Sequence, residues 1–251
     1  MRNLLAALLV LATSPAIAQD KEKFSTTDLN VRTVLTFKVP DAVVQKVLPA
    51  GFQANSPAAG PSAGFNVGVV LIDYLMMQDP EGKPLPARTT IALTTPAKNA
   101  SGEAVAVVFG GFIPPAGAPG AYSVFGPAKT TVDRRSHTDA EGKSTIDESW
   151  EAIGDDGSAL QVDLQFARGV PARGKVEAKI HSAAKPEFYR IYRFEQAADV
   201  ARSTPAGIDR VSKFSFKASG PKLAPVFDGS QQLISITSIP FYSRSIYLPV
   251  M

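Results

Sequence analysis

The chain has 251 residues, 45% of them apolar and 20% charged, with a formal net charge of +3 and no cysteine. That balance is ordinary for a globular protein; the absence of cysteine excludes disulfides, thiol nucleophiles and cysteine-based metal sites. Both signs of charge are interspersed, with no basic stripe of the kind nucleic-acid binding needs, so that class of partner is set aside.

The chain opens MRNLLAALLVLATSPAIAQDKEKF. Arg2 supplies a positive start, Leu4 to Leu11 an apolar stretch and Ala16-Ile17-Ala18 a small-x-small cleavage site, which together read as a signal peptide over residues 1–18. The apolar stretch is shorter than the ~20 residues of a membrane-spanning helix. The expectation is an exported, periplasmic mature chain, residues 19–251, with no stable membrane anchor after cleavage.

The remaining elements are short and closely spaced. Asn30 to Val39 is rich in β-branched residues and reads as a strand. Pro40-Asp41 opens AVVQKVLP, about two helical turns with Val43, Val44 and Val47 on one face and Pro49-Ala50-Gly51 as the stop. Phe65 to Tyr74, Thr89 to Thr95 and Ala104 to Phe112 read as apolar strands. After PPAGAPG comes Tyr122 to Asp133, interrupted at Gly126-Pro127. Ser144 to Ile153 and Ala159 to Ala167 flank GDDG, a hairpin turn. Val176 to Ile180, Phe188 to Phe194, Val211 to Ala218, Leu233 to Ile239 and Ile246 to Leu248 complete the strands, with Glu195 to Arg202 as a short helix. The stretches Gln78 to Pro86 and Ser136 to Lys143 read as solvated loops. Many short strands, few helices and no linker predict a mainly β fold, a single antiparallel domain.

Few side chains stand out as chemistry. Gly60-Pro61-Ser62-Ala63-Gly64 matches G-x-S-x-G, but a hydrolase elbow needs a strand before it and a helix after it, and here a loop precedes and a strand follows. His137 and His181 stand alone, and without cysteine they make no zinc set. Asp155-Asp156-Gly157 lacks the spaced oxygen ligands of a calcium loop, and no phosphate loop or dinucleotide fingerprint occurs. No cofactor and no metal is expected. Lys129, in AYSVFGPAKTTVDRR, is the remaining candidate: a lysine in a small, apolar run can lose its proton and attack a carbonyl if burial lowers its pKa from ~10.4. The opposing reading is a solvated strand-end lysine, with Asp133 on the same side to hold its charge.

Three segments resemble the acetoacetate decarboxylase family. LTFKVPDAVVQKVLPAGF, Leu35 to Phe52, is similar to that family's opening strand, helix and Leu-Pro-x-Gly turn. VFGPAK, Val124 to Lys129, resembles the segment leading to its Schiff-base lysine, and Lys217 to Pro249 resembles its closing strands. The resemblance implies a cone-like barrel with an apolar pocket, a few short helices and commonly a homo-oligomer. It also implies a catalytic Lys129 forming an imine with a small keto acid, Arg32 binding the substrate carboxylate, and Tyr122 and Phe125 as pocket walls. Thr130 stands where the family carries a second lysine, and Arg88 to Ala92 lacks its pocket acid. Two readings follow: a decarboxylase-like lyase, and a non-catalytic barrel that binds a small apolar or carboxylated ligand.

Overall fold

The structure is a computed structural model and describes residues 22–250. The expected signal peptide, residues 1–18, lies outside the described residues. In chain order the elements are β1 (Glu22–Lys38), α1 (Asp41–Val47), β2 (Gln53–Ala54), β3 (Val67–Gln78), β4 (Thr89–Lys98) and β5 (Ala104–Ile113). After a 3-10 turn at Pro115–Gly117 come β6 (Gly126–Thr138), β7 (Ser144–Gly154), β8 (Ala159–Ala167), β9 (Ala172–Ser182) and β10 (Tyr189–Ser203). The last three strands are β11 (Ile208–Asp209), β12 (Val211–Ser219) and β13 (Gln232–Pro249). The mainly β expectation is met, with α1 as the one α-helix among the described residues.

The strands form one sheet in the order β12-β8-β7-β6-β5-β9-β10-β13-β1-β3-β4-β2, and an additional pairing joins β4 to β5. That pairing closes a ring of seven strands, β5-β9-β10-β13-β1-β3-β4, from which β6, β7, β8 and β12 branch as a flap. The sheet is mixed rather than purely antiparallel, because β5 runs parallel to both β6 and β9.

Alternation decides which side chains meet. On β8, Leu160, Val162, Leu164 and Phe166 point inward and the residues between them are partly exposed, the period of two that a half-buried strand requires. The flap lays this face over the ring. Trp150, Ala152, Val162 and Leu164 pack with Leu35 and Phe37 of β1, Val69 and Leu71 of β3, and Ile91 and Leu93 of β4. Within this apolar layer the carboxylate of Glu148 is buried and fully engaged. It accepts from Thr33 Oγ1 at 2.6 Å, Trp150 Nε1 at 3.1 Å and Arg134 Nε at 2.8 Å.

Three local expectations differ from the structure. Glu195 to Arg202 is strand, not helix: β10 pairs with β9 on one side and β13 on the other, and pairing on both edges overrides the helical preference of EQAADVAR. Ser136 to Thr138 continues β6, paired to Ile146, Thr145 and Ser144. Residues 232–249 form one strand that passes Pro240 at a bulge, where Asn30 and Arg32 of β1 face Tyr242 and Ile239. A proline tolerates such a site because no ladder N–H is required there.

Ring closure depends on Gly111. Its φ is +130°, and a Cβ there would lie 2.0 Å from the Ile91 carbonyl oxygen across the β4–β5 seam. Gly110, by contrast, would bring a Cβ no nearer than 3.4 Å to the flexible Leu93 side chain. Gly111→Ala is therefore expected to cost more than the ~4–5 kcal/mol that marks exceptional substitutions. Far-UV circular dichroism and soluble yield are expected to show an unfolded or absent Gly111→Ala protein and a folded Gly110→Ala control.

Candidate functional site

β1 presents Asp28, Asn30 and Arg32 on one face, two residues apart. Register places Arg244, Tyr242 and Ile239 of β13 beside them on one side, and Met77, Tyr74 and Ile72 of β3 on the other. All nine are buried. The opposite face of β9 and β10 turns Lys175, Glu177 and Arg193 to solvent, so the buried row is the inner wall of the ring.

The polar groups on this wall form a chain of directed contacts. Arg244 donates through Nε at 2.9 Å and Nη2 at 2.7 Å to Asp28 Oδ2, and Nη2 also donates to the Tyr74 hydroxyl at 3.2 Å. Asn30 Nδ2 donates to Asp28 Oδ1 at 2.5 Å, while Asn30 Oδ1 accepts from Arg32 Nε at 2.6 Å. The Arg32 guanidinium lies over the Tyr242 ring, 3.3 Å from its centroid, and Tyr242 stacks on Phe194 at 4.8 Å. Arg244 lies 4.2 Å above the Tyr192 ring, and the Tyr122 hydroxyl donates to that of Tyr192 at 2.6 Å. Arg190 sits over Tyr122 and Arg88 over Tyr74, at 5.7 and 5.5 Å.

Burial sets the titration of this cluster. It pushes the Tyr122 phenol well above the usual tyrosine value, and the neighbouring Tyr192 pushes the same way. Tyr242 is raised chiefly by burial, against the lowering effect of Arg32 and Arg244. Burial lowers Arg32, outweighing the support of Tyr242. Burial also acts to lower Arg244, but Tyr192, Tyr74, Asp28 and Tyr242 overcome it and hold that group well above the usual arginine value.

Of the four residues singled out from sequence, two meet on this wall. Arg32 is held by Asn30 and Tyr242, and Tyr122 reaches it from the loop before β6, its carbonyl accepting from Ser182 Oγ at 2.5 Å. Phe125 lies against Gly120 within its own loop: a Cβ on Gly120 would fall 2.8 Å from the Phe125 ring. Lys129 stands elsewhere. On β6 the even residues Ala128, Thr130, Val132 and Arg134 turn toward the core, and Lys129 is exposed on the other face, opposite the half-exposed Ile153. Asp133, expected beside it as a counter-charge, pairs instead with Arg135 at 2.7 Å. Among the described residues no lysine is buried.

The hydrolase reading of Ser62 finds no base. Its hydroxyl bonds Ser235 Oγ at 2.8 Å, His137 is exposed, and His181 stacks on Tyr189 with Nδ1 at 3.1 Å from the Pro186 carbonyl oxygen. Sequence reasoning missed Asp28, Asn30, Tyr192, Tyr242 and Arg244. The signal was present as polar residues spaced by two, D-x-N-x-R and Y-x-R, inside segments otherwise apolar enough to be strands.

No protein-family model matches the sequence, and no curated protein matches it. Solved structures do match. One is an acetoacetate decarboxylase-like enzyme from Sphingomonas wittichii RW1, at a TM-score of 0.56 and 9% identity over 98% of this chain and 100% of that one. Another is the enduracididine biosynthesis enzyme MppR, complexed with the condensation product of pyruvate and imidazole 4-carboxaldehyde. It matches at a TM-score of 0.53 and 11% identity over 98% of this chain and 96% of that one. The likeness establishes the fold anticipated from the three sequence segments, the acetoacetate decarboxylase-like fold.

Two outcomes test the wall itself. Asp28→Asn leaves the buried Arg244 charge without its counter-ion, and is expected to destabilise by roughly 3–5 kcal/mol in chemical denaturation, with partial recovery when Arg244→Met is added. The raised phenols give the second. A folded-state pKa above the unfolded value of ~10 means that their contribution is complete below that pH and is lost as pH rises through the folded values. Phenolate absorbance is therefore expected to show a late alkaline step coincident with loss of structure, smaller in Tyr122→Phe.

Proposed function

We propose that this chain binds a small carboxylic acid of the keto-acid type on the inner wall of its ring, with the Arg32 guanidinium as counter-charge. The observation that carries the reading is Arg32 Nη2, a buried donor with no protein partner. The same guanidinium is aimed by Asn30 through Nε and held over the Tyr242 ring, so its position is set before any ligand arrives. An unpaired buried donor costs about 1–3 kcal/mol, and a carboxylate is the group whose geometry matches a guanidinium fork. Tyr122 and Tyr192, kept close by their shared hydrogen bond, supply hydroxyls for the ketone or second polar atom of the ligand.

A second reading, a decarboxylase-like lyase, draws on the fold neighbours. One is described as an acetoacetate decarboxylase-like enzyme and the other was solved with a pyruvate-derived ligand. In that reading the Lys129 amine adds to the ketone of a keto acid, water leaves, and the protonated imine takes up the electron pair released as carbon dioxide departs. It needs an unprotonated amine at the keto group. Lys129 is exposed, on the face of β6 turned away from the core, and none of the inner-wall contacts reaches it. This is why carboxylate binding is the leading reading. Its setting is the periplasm, after removal of residues 1–18, with assembly into a homo-oligomer as part of the same proposal.

Calorimetric titration with pyruvate and acetoacetate is expected to show binding that Arg32→Gln weakens by about 10- to 100-fold, the equivalent of one charge-assisted hydrogen bond, and that Lys129→Ala leaves unchanged. Borohydride trapping with the same acids is expected to leave the intact mass unaltered. An adduct on the wild type that vanishes in Lys129→Ala would instead establish the imine reading. Absence of binding to the folded protein would remove both.

A further inference from the structure

Two buried donors on the inner wall lack a partner and share one row. Arg32 on β1, Ile72 on β3 and Thr90 on β4 stand side by side in register, and all three are buried. Arg32 Nη2 and Thr90 Oγ1 have no hydrogen bond. Among the described residues the other buried threonines are satisfied: Thr33 donates to Glu148, Thr36 bonds the Ser235 hydroxyl and Thr95 donates to the Pro96 carbonyl oxygen. Thr89, next in the chain but on the opposite face, bonds the Thr130 hydroxyl. Between the two free donors Ile72 is apolar and packs with Tyr74, Met77 and Val70. The row therefore presents a donor, an apolar floor and a second donor.

Resting on the carboxylate-binding reading above, we infer that Thr90 is a specificity-determining residue. Its hydroxyl donates to a ketone oxygen set several carbons beyond the carboxylate that Arg32 holds, which makes the ligand class a 4-oxo acid. Sheet geometry sets the spacing. Two strand spacings separate Arg32 from Thr90 by about 10 Å at the backbone. The Arg32 guanidinium leans the other way, to Asn30 and over Tyr242 of β13. A hydrogen bond of ~2.9 Å at each end leaves a gap that the carbons of the ligand must fill. The ketone of a 2-oxo acid stands on the carbon next to the carboxylate and does not fill it. A ketone at carbon 4 does, with two methylene groups lying over Ile72. Tyr192 stands on β10, two strands from β1 in the opposite direction, so Thr90 addresses a part of the ligand that the phenols do not. A plain fatty acid would leave the Thr90 hydroxyl desolvated and unanswered, so the same row selects against it.

The test compares three five-carbon acids that differ in one oxygen, pentanoate, 2-oxopentanoate and 4-oxopentanoate, each titrated calorimetrically into the full chain beside pyruvate. The 4-oxo acid is expected to bind about 10-fold more tightly than pentanoate, the equivalent of one hydrogen bond. Thr90→Val keeps the shape of the side chain and removes the hydroxyl. It is expected to bring that ratio to within about threefold of unity while leaving pentanoate affinity in place, and Thr90→Ser is expected to restore the preference; circular dichroism verifies that each variant is folded. Equal affinity for pentanoate and 4-oxopentanoate, a Thr90→Val protein that weakens both alike, or a preference for the 2-oxo acid that this variant abolishes would overturn the assignment and leave carboxylate binding standing. Failure of all four acids to bind the folded protein would overturn the carboxylate reading as well.

Discussion

Closure of the ring through β4 and β5 is the constraint on which the rest of the molecule depends. Where the closed ring screens its inner face from water, a polar group left without a partner is costly. This chain places guanidinium groups on that face. Arg244 is admissible because Asp28 meets it with two hydrogen bonds and Asn30 takes the carboxylate's other oxygen. The pair is therefore less a source of stability than a condition for the fold to exist with charge inside it, since two buried ions gain little over well-packed apolar groups while one alone is costly.

The flap answers a second requirement. The outer face of β1, β3 and β4 is apolar at Leu35, Phe37, Val69, Leu71, Ile91 and Leu93, and β6, β7 and β8 cover it with Ala128, Trp150, Val162 and Leu164. The two faces of β1 thus look into different media: polar and cationic inside the ring, apolar beneath the flap. Thr33, one residue from Arg32, already belongs to the other side, where it donates to the buried Glu148. This two-sidedness explains why Arg32 and Lys129 do not share a site. Arg32 lies beyond one wall of the apolar layer, and Lys129 lies on the solvent side of the opposite wall.

Most strands were legible from sequence because their apolar alternation survives burial of one face, as on β8. The helix over Asp41–Val47 was legible because Pro40 starts it and Pro49 stops it. Glu195 to Arg202 was not, since its helical composition is overruled by partners more than 15 residues distant on β9 and 30 or more distant on β13. The site was half legible. Arg32 and Tyr122 were found through resemblance, but the partners that give them meaning, Asn30, Tyr242 and Tyr192, come from three strands whose adjacency is a property of ring order. The exposure of Lys129 was not legible for a simpler reason: a lysine in an apolar run looks buried until the parity of the strand is known, and Ala128 occupies the buried position.

Parity also bears on what the fold can be used for. An amine at position 128 or 130 would face the core side of β6, whereas the residues there are alanine and a threonine whose hydroxyl bonds that of Thr89. What this interior presents among the described residues is a set of guanidinium groups and phenols in mutual contact, with Arg244 and Arg32 held by Asp28 and Asn30 and Tyr122 bonded to Tyr192. Such preorganised donors lose little freedom when a ligand arrives, so they favour tight and selective binding of anions. Ring, flap and inner wall are set by different residues on the same strands, which is why the fold by itself does not fix the chemistry of the site.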